Sequence, residues 1–267
     1  MSQEGVGNPR YATLNTDYAA EMLSMPAEED GPIWMVNLMK YREIADYVDG
    51  RKSNISGQEA DDLYAPISVL ADVGAEIVFA GSVETQLLGD TPKWDRIAVV
   101  KYPTRRSFLE MSSRKDFQEK HAHKEAGMQE TIVMGCTPIE TPVYSKKDWK
   151  EIANPPSDDD GVMTVVHVLQ LNEQIEKMNN YSLIAGERAI PNGVQIDGWF
   201  QVENTILGDG RKWDQVRFNT FPSRRAFQEV LDDPARMEAQ KKYREVAISD
   251  TYTMIVTPLI NKVSDSI

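Results

Sequence analysis

The chain has 267 residues, 29 basic and 42 acidic, for a formal net charge of −13. Its 41% hydrophobic content is enough for a buried core, and the acidic balance argues against a nucleic-acid or anionic-membrane partner, since both recognise clustered Lys and Arg. One cysteine (Cys136) and three histidines (His121, His123, His167) leave too little for a disulfide framework or a multi-histidine metal centre.

In chain order, residues 1–30 form an extension, with a short helix expected over Tyr18–Met25 and stopped by Pro26. Ile33–Met39 is an apolar run and predicts a buried strand. Gly57–Val73 carries apolar residues at helical spacing and ends at Gly74. Ala75–Leu87 and Trp94–Tyr102 predict strands joined by a Gly-Asp turn. A helix follows Pro103-Thr104, restarts through Glu119–Ala126, and leads into a closing strand, Gln129–Cys136. Pro155-Pro156 and the Asp158–Asp160 run mark a solvated linker over residues 141–160. The order then repeats over Met163–Leu169, Ile175–Ala189, Val194–Ile206, Trp213–Phe221, Ser223–Val246 and Asp250–Val256.

The second set is a copy of the first. Gly74–Met111 aligns with Gly193–Val230 without gaps at an offset of 119, with 15 of 38 positions identical, including LGD, KWD and the Arg-Arg pair. Upstream, GPIWMVNLMKY matches GVMTVVHVLQL at an offset of 130, and Thr137-Pro138 matches Thr257-Pro258 at 120. Residues 31–140 and 161–267 are therefore two βαββαβ repeats, the ferredoxin-like arrangement, in an α+β fold. Such a sheet carries helices on one face only, and a second copy is the simplest cover for the other. The charge divides as −7 and −6 between residues 1–150 and 151–267, so neither repeat is an acidic tail. No apolar run reaches the length of a membrane span, and the first residues lack the apolar segment of a secretory signal, which gives the expectation of a cytoplasmic protein.

The strings MVNLMKYR, AGSVETQLLG, WDRIAVVKYPTRRSFLEM and HKEAGM resemble the family tagged "domain of unknown function 1330", of the dimeric α+β barrel superfamily. The first repeat covers nearly all of that pattern. The second keeps LGDGRKWD and FPSRRAF but lacks the NL pair and the HKEAG string. The resemblance implies a tandem duplication whose two antiparallel sheets pack as an intrachain α+β barrel. It also implies a superfamily range of cofactor-independent monooxygenases, isomerases and cyclases, haem enzymes and stress proteins, among which fold does not choose.

Polar residues inside apolar elements are the candidate chemistry. Asn37 lies mid-strand and His167 is its counterpart in the second repeat; an unpaired amide or imidazole there costs free energy, so each is either paired internally or aimed at a ligand. His121 and His123 are two apart and diverge on a regular helix, so they cannot form an i, i+4 metal pair. His123 matches the family string, and its counterpart is Tyr243. Tyr64 sits on the apolar side of its helix. Trp94 and Trp213, each followed by Asp, read as end plugs with a turn-capping carboxylate, or as ligand contacts. Arg105, at a helix start where cations oppose the dipole, needs a carboxylate such as Asp95 or binds an anion. Cys136 reads as a buried small hydrophobe.

The leading expectation is a small-molecule enzyme without a bound metal or organic cofactor, acting on a hydrophobic, oxygenated substrate by isomerisation, cyclisation or oxygenation. His123, His167 and Asn37 are its catalytic candidates; Tyr64, Tyr243, Trp94, Trp213, Arg105 and His121 would contact substrate. The alternatives are a non-catalytic metabolite-binding or structural barrel and a haem-binding barrel. Either a monomeric fused barrel or a homodimer satisfies the pattern.

Overall fold

The computed structural model describes residues 8–141 and 147–267. Part of the expected linker, residues 142–146, and the first seven residues of the extension lie outside them. The chain divides into two compact units. Unit 1 comprises Met1–Ala80, Pro92–Thr137 and Glu203–Lys212; unit 2 comprises Gly81–Thr91, Pro138–Val202 and Trp213–Ile267. The units therefore differ from the sequence repeats by two segments, each the end of a long strand and the turn after it.

Unit 1 holds β1 (Thr13–Leu14), α1 (Thr16–Ser24), β2 (Ile33–Tyr41), α2 (Gly57–Tyr64), α3 (Ile67–Asp72), the start of β3 (Glu76–Leu88), β4 (Arg96–Tyr102), α4 (Arg105–Ser113), α5 (Lys115–Gly127) and β5 (Met128–Ile139). Unit 2 holds β6 (Met163–Leu171), α6 (Ile175–Ala189), most of β7 (Gln195–Gly208), β8 (Gln215–Phe221), α7 (Arg224–Asp232), α8 (Pro234–Ala239) and β9 (Ile248–Asn261). In unit 1 the strands pair in the order β1-β7-β5-β2-β4-β3, and in unit 2 in the order β3-β9-β6-β8-β7. The expected α+β class and the βαββαβ order are both present.

The helices are more broken than their periodicity suggests. The expected helix over Gly57–Val73 is two, because Pro66 lacks an N–H and holds Ala65 in a non-helical conformation. Arg114, extended at ψ 139°, separates α4 from α5, so the restart falls at Lys115 and not at Glu119. In the second repeat Asp233 ends α7 and caps α8, where Pro234 takes the first position. After α8 comes a π-helical stretch, Gln240–Arg244, and a last turn, Glu245–Ala247. Helices α2 and α5 touch at Gly57 and Gly127, where a Cβ on either glycine would collide with the other's backbone oxygen.

The central strands of the two units share one register. Asn37 of β2 faces Ala98 of β4 and Val133 of β5. His167 of β6 faces Arg217 of β8 and Thr253 of β9. Both strands bulge at their ends, at Lys40/Tyr41 and Gln170/Leu171. A bulge leaves backbone groups outside the ladder, and the Trp-Asp motif accounts for one in each unit. Asp95 Oδ2 accepts the Tyr41 N–H at 2.8 Å, and Asp214 Oδ2 accepts the Leu171 N–H at 2.6 Å.

The arginine pairs solve a similar problem. Asp30 accepts the backbone N–H groups of Arg105 and Arg106 at 2.7 and 3.2 Å, and Asp160 accepts those of Arg224 and Arg225 at 2.7 and 3.1 Å. A carboxylate at each helix start offsets the cations that oppose the dipole. Asp160 is thus engaged, although it ends the acidic run read as solvated.

Candidate functional site

The first-repeat candidates do not converge on one place. Asn37 is half-buried and spends its amide on its own strand, donating from Nδ2 to Met35 O at 2.9 Å. His121 pairs with Tyr11 Oη at 2.9 Å and lies against the rings of Tyr64 and Phe117. His123 turns the other way, to Tyr47 Oη at 2.7 Å, with Arg51 stacked 3.8 Å from that ring. Burial is the main cause that lowers both imidazole pKa values; Lys124 and Arg51, respectively, push in the same direction. Tyr64 packs edge-on to Phe117 within a core that includes Tyr18, Met35, Tyr102 and Met111, and burial raises its phenol pKa well above the ordinary value. Trp94 is buried. Arg105 is buried and bonds Glu203 through Nε at 2.9 Å and again through Nη2, with Asp30 Oδ1 at 3.6 Å. Its partners are therefore not Asp95, which instead takes Lys40 at 3.0 Å.

In the second repeat, Trp213 is buried against the Tyr252 ring, and Tyr243 is half-buried with Lys242 over its ring. His167 has different surroundings. It lines an apolar cavity of about 370 Å³ within unit 2, between the helix-facing side of the sheet and α6, α7 and α8. Met178, Ile196, Phe221, Phe227 and Leu231 supply apolar wall. Polar lining includes Arg217 and Asn219 of β8, Thr253 of β9, Ser182 of α6, Arg236 of α8, and Gln240 and Arg244 of the π-helical stretch.

Strand alternation explains how charge enters this wall. Gln215, Arg217 and Asn219 fall on one face of β8 and Val216 and Phe218 on the other. Arg217 donates from Nε and Nη2 to Gln215 Oε1 at 3.0 and 2.7 Å, and from Nη1 to Ser182 Oγ at 2.7 Å. Its guanidinium lies 4.0 Å from the centre of the Trp199 ring, and the Trp199 indole donates to Asn219 at 3.0 Å. Arg244 makes one hydrogen bond, from Nη2 to Thr253 Oγ1 at 3.4 Å. The same hydroxyl lies 3.2 Å from His167 Nδ1. Burial first, then Arg244, Arg217 and Arg236, hold the His167 pKa well below its usual value, so the imidazole is neutral near pH 7.

Arg217 and Arg244 were not among the residues singled out by sequence reasoning. A signal for the first was present: Arg217 interrupts a buried strand at the position aligned with Ala98, next to His167 across the ladder. The second stands where the first repeat has Lys124, which burial and neighbouring Asp61 act upon in opposite directions. Asn37, Ala98 and Val133 of the first repeat thus become His167, Arg217 and Thr253 in the second. Among the described residues, no cluster of three or more His, Cys, Asp or Glu could hold a metal ion, and no helix is long and apolar enough to cross a membrane.

No family model and no curated protein matches the chain. Solved structures do. An anthrone oxidase-like protein aligns at a TM-score of 0.53 and 12% identity, over 86% of this chain and 92% of its own. A protein of unknown function from Rhodopseudomonas palustris is 25% identical over 51% of this chain and all of its own, at a TM-score of 0.42. A chlorite dismutase from Candidatus Nitrospira defluvii aligns at 0.49 with 12% identity, over 93% of this chain and 98% of its own. The first of these likenesses supports the α+β barrel class that the sequence predicts.

Proposed function

We propose that the chain is a small-molecule enzyme whose working site is the cavity of the second repeat, acting on a hydrophobic, oxygenated substrate by isomerisation, cyclisation or oxygenation. It descends on this reading from a duplicated barrel domain of the unknown-function family named above, with repeats at residues 31–140 and 161–267. The observation that carries the proposal is a neutral histidine in the wall of an apolar cavity, beside two buried guanidiniums. Sites of this kind combine an apolar body with a few convergent polar groups of shifted pKa.

His167 is the general base; burial and the arginines disfavour its imidazolium alone, so it takes the proton only as the substrate's negative charge forms beside it. If Nδ1–H donates to Thr253 Oγ1, Nε2 has no protein hydrogen bond among the described residues and is open to a substrate proton. Proton removal from an acidic C–H or O–H leaves an enolate or phenolate oxygen. Arg217, fixed by Gln215, Ser182 and Trp199, stabilises that charge in a place where water does not compete. In isomerisation or ring closure the anion forms its new bond and takes the proton back from His167; in oxygenation dioxygen is the co-substrate and oxidant, the anion adds to it to give a peroxide anion that the His167 proton neutralises, and the hydroperoxide loses water to leave a carbonyl.

The test is turnover of a panel of anthrones, naphthols and aryl β-diketones, each with and without a carboxyl group, followed by absorbance and mass spectrometry. Wild-type protein should convert at least one compound. His167→Gln should lose 100-fold or more in kcat, the usual range for general-base removal. Absence of turnover across the panel, or equal turnover by the variant, would contradict the proposal.

A further inference from the structure

Two buried cations in an apolar cavity are costly to keep without a counter-charge. Arg217 and Arg244 are 5% and 6% exposed, yet neither forms an ion pair among the described residues. The contrast with the same molecule's Arg105 is direct, since that buried guanidinium has two carboxylates. Nor is the cavity wall otherwise acidic: its lining contains no Asp or Glu. The neighbouring titratable groups are His167, Tyr181 and Arg236, with Glu245 acting on Arg244 from outside the lining.

We propose that the ligand of this cavity carries a carboxylate, seated between Arg217 and Arg244, on an apolar aromatic or alicyclic body that fills the space towards Phe221, Phe227 and Leu231. The inference rests on the reading of the cavity as a small-molecule site and names the substrate class of that site.

The donors are suited to this charge. Arg217 is locked by three hydrogen bonds and by the Trp199 ring, so its direction is preset at little entropic cost on binding. Arg244 has one long hydrogen bond and keeps the rest of its planar fork for a bidentate partner. Burial and then Arg244 push the Arg217 pKa down to about 10, which still leaves it a cation at neutral pH. A single negative charge offsets the mutual repulsion of the two guanidiniums. The mainly apolar lining favours a monoanion with a greasy body over a phosphate, whose two charges and further oxygens would call for more donors.

The repeats point the same way. The first repeat has Ala98 at the Arg217 register position, and its Lys124 is matched by Asp61 nearby. The pair of buried guanidiniums at these two positions belongs to the repeat with the cavity.

The experiment compares 2-naphthoate with 2-naphthamide, a neutral isostere, by calorimetry and by quenching of tryptophan fluorescence. In wild-type protein naphthoate should bind at least tenfold more tightly. Arg217→Met and Arg244→Met should each reduce that preference to threefold or less while still binding naphthamide. Trp199→Phe should remove most of the quenching, which locates the probe even if an arginine variant does not fold. Equal affinities of acid and amide in wild-type protein would overturn the carboxylate and leave the small-molecule site standing. Binding of neither probe would overturn both. A preference for acid that survives both arginine variants, or quenching unchanged in Trp199→Phe, would place the anion elsewhere and overturn the proposal.

Discussion

His167 carries the proposed chemistry, and its burial has a measurable cost. Its folded pKa lies well below the unfolded value of about 6.5. Above that pH both states hold a neutral imidazole and nothing is lost. Below it the unfolded chain takes up a proton that the folded chain refuses, so stability falls as pH drops, by up to about 1.4 kcal/mol per pH unit. The loss continues until the folded pKa is reached. His121 and His123 contribute with the same sign. Urea denaturation at pH 7.5 and 5.5 should therefore show wild-type protein losing about 1 kcal/mol more than His167→Gln. Equal losses would mean that the imidazole is accessible to protons in the folded state. The counterpart Asn37 does not titrate, and its internal bond to Met35 satisfies the amide. At this register position the first repeat has a self-satisfied amide and the second an imidazole in a cavity wall.

At the scale of elements, the two arginine–glutamate pairs form a natural comparison. Arg105 bonds Glu203, which stands on β7 of the other repeat, and Arg224 bonds Glu84, which stands on β3 of the other repeat. The motif is the same and the burial differs: the side chains are 7% and 24% exposed in the first pair, 47% and 30% in the second. Removing one partner of a buried pair strands the other charge, at a cost of about 3–5 kcal/mol, whereas an exposed pair is worth about 0–1 kcal/mol. Arg105→Ala should accordingly destabilise far more than Arg224→Ala in thermal and chemical melts. Similar losses would mean that the second pair is shielded from solvent. The strands and the α6 boundaries were legible because the apolar runs and the 119-residue offset agree. The helix breaks were less so. Pro66 sits inside an otherwise regular apolar pattern, and the extended conformation of Arg114 has no signature in residue type. The acceptors of the Arg-Arg motif were also hidden, since Glu203 is far away in sequence and only chain topology brings it to Arg105.

At the scale of the whole molecule, the two repeats have one backbone plan and different interiors. Shared residues carry shared structural work: Asp95 and Asp214 cap the strand bulges, and Asp30 and Asp160 cap the helix starts. The residues proposed to react, His167 and Arg217, lie where the repeats differ. In unit 1 the helix–sheet interface around Tyr64 and Phe117 is a packed aromatic core. In unit 2 the corresponding space includes the cavity beside His167. Sequence comparison within the chain identified the His167 position, but not that its helices stand off the sheet, because cavity volume depends on how α6, α7 and the π-helical stretch pack. The most direct measurement is a co-crystal structure with anthrone or 2-naphthoate. Ligand density is expected in unit 2, within hydrogen-bond reach of His167 or Arg217. Density only around His121 or His123 in unit 1, or a second-repeat cavity left empty at saturating ligand, would contradict it.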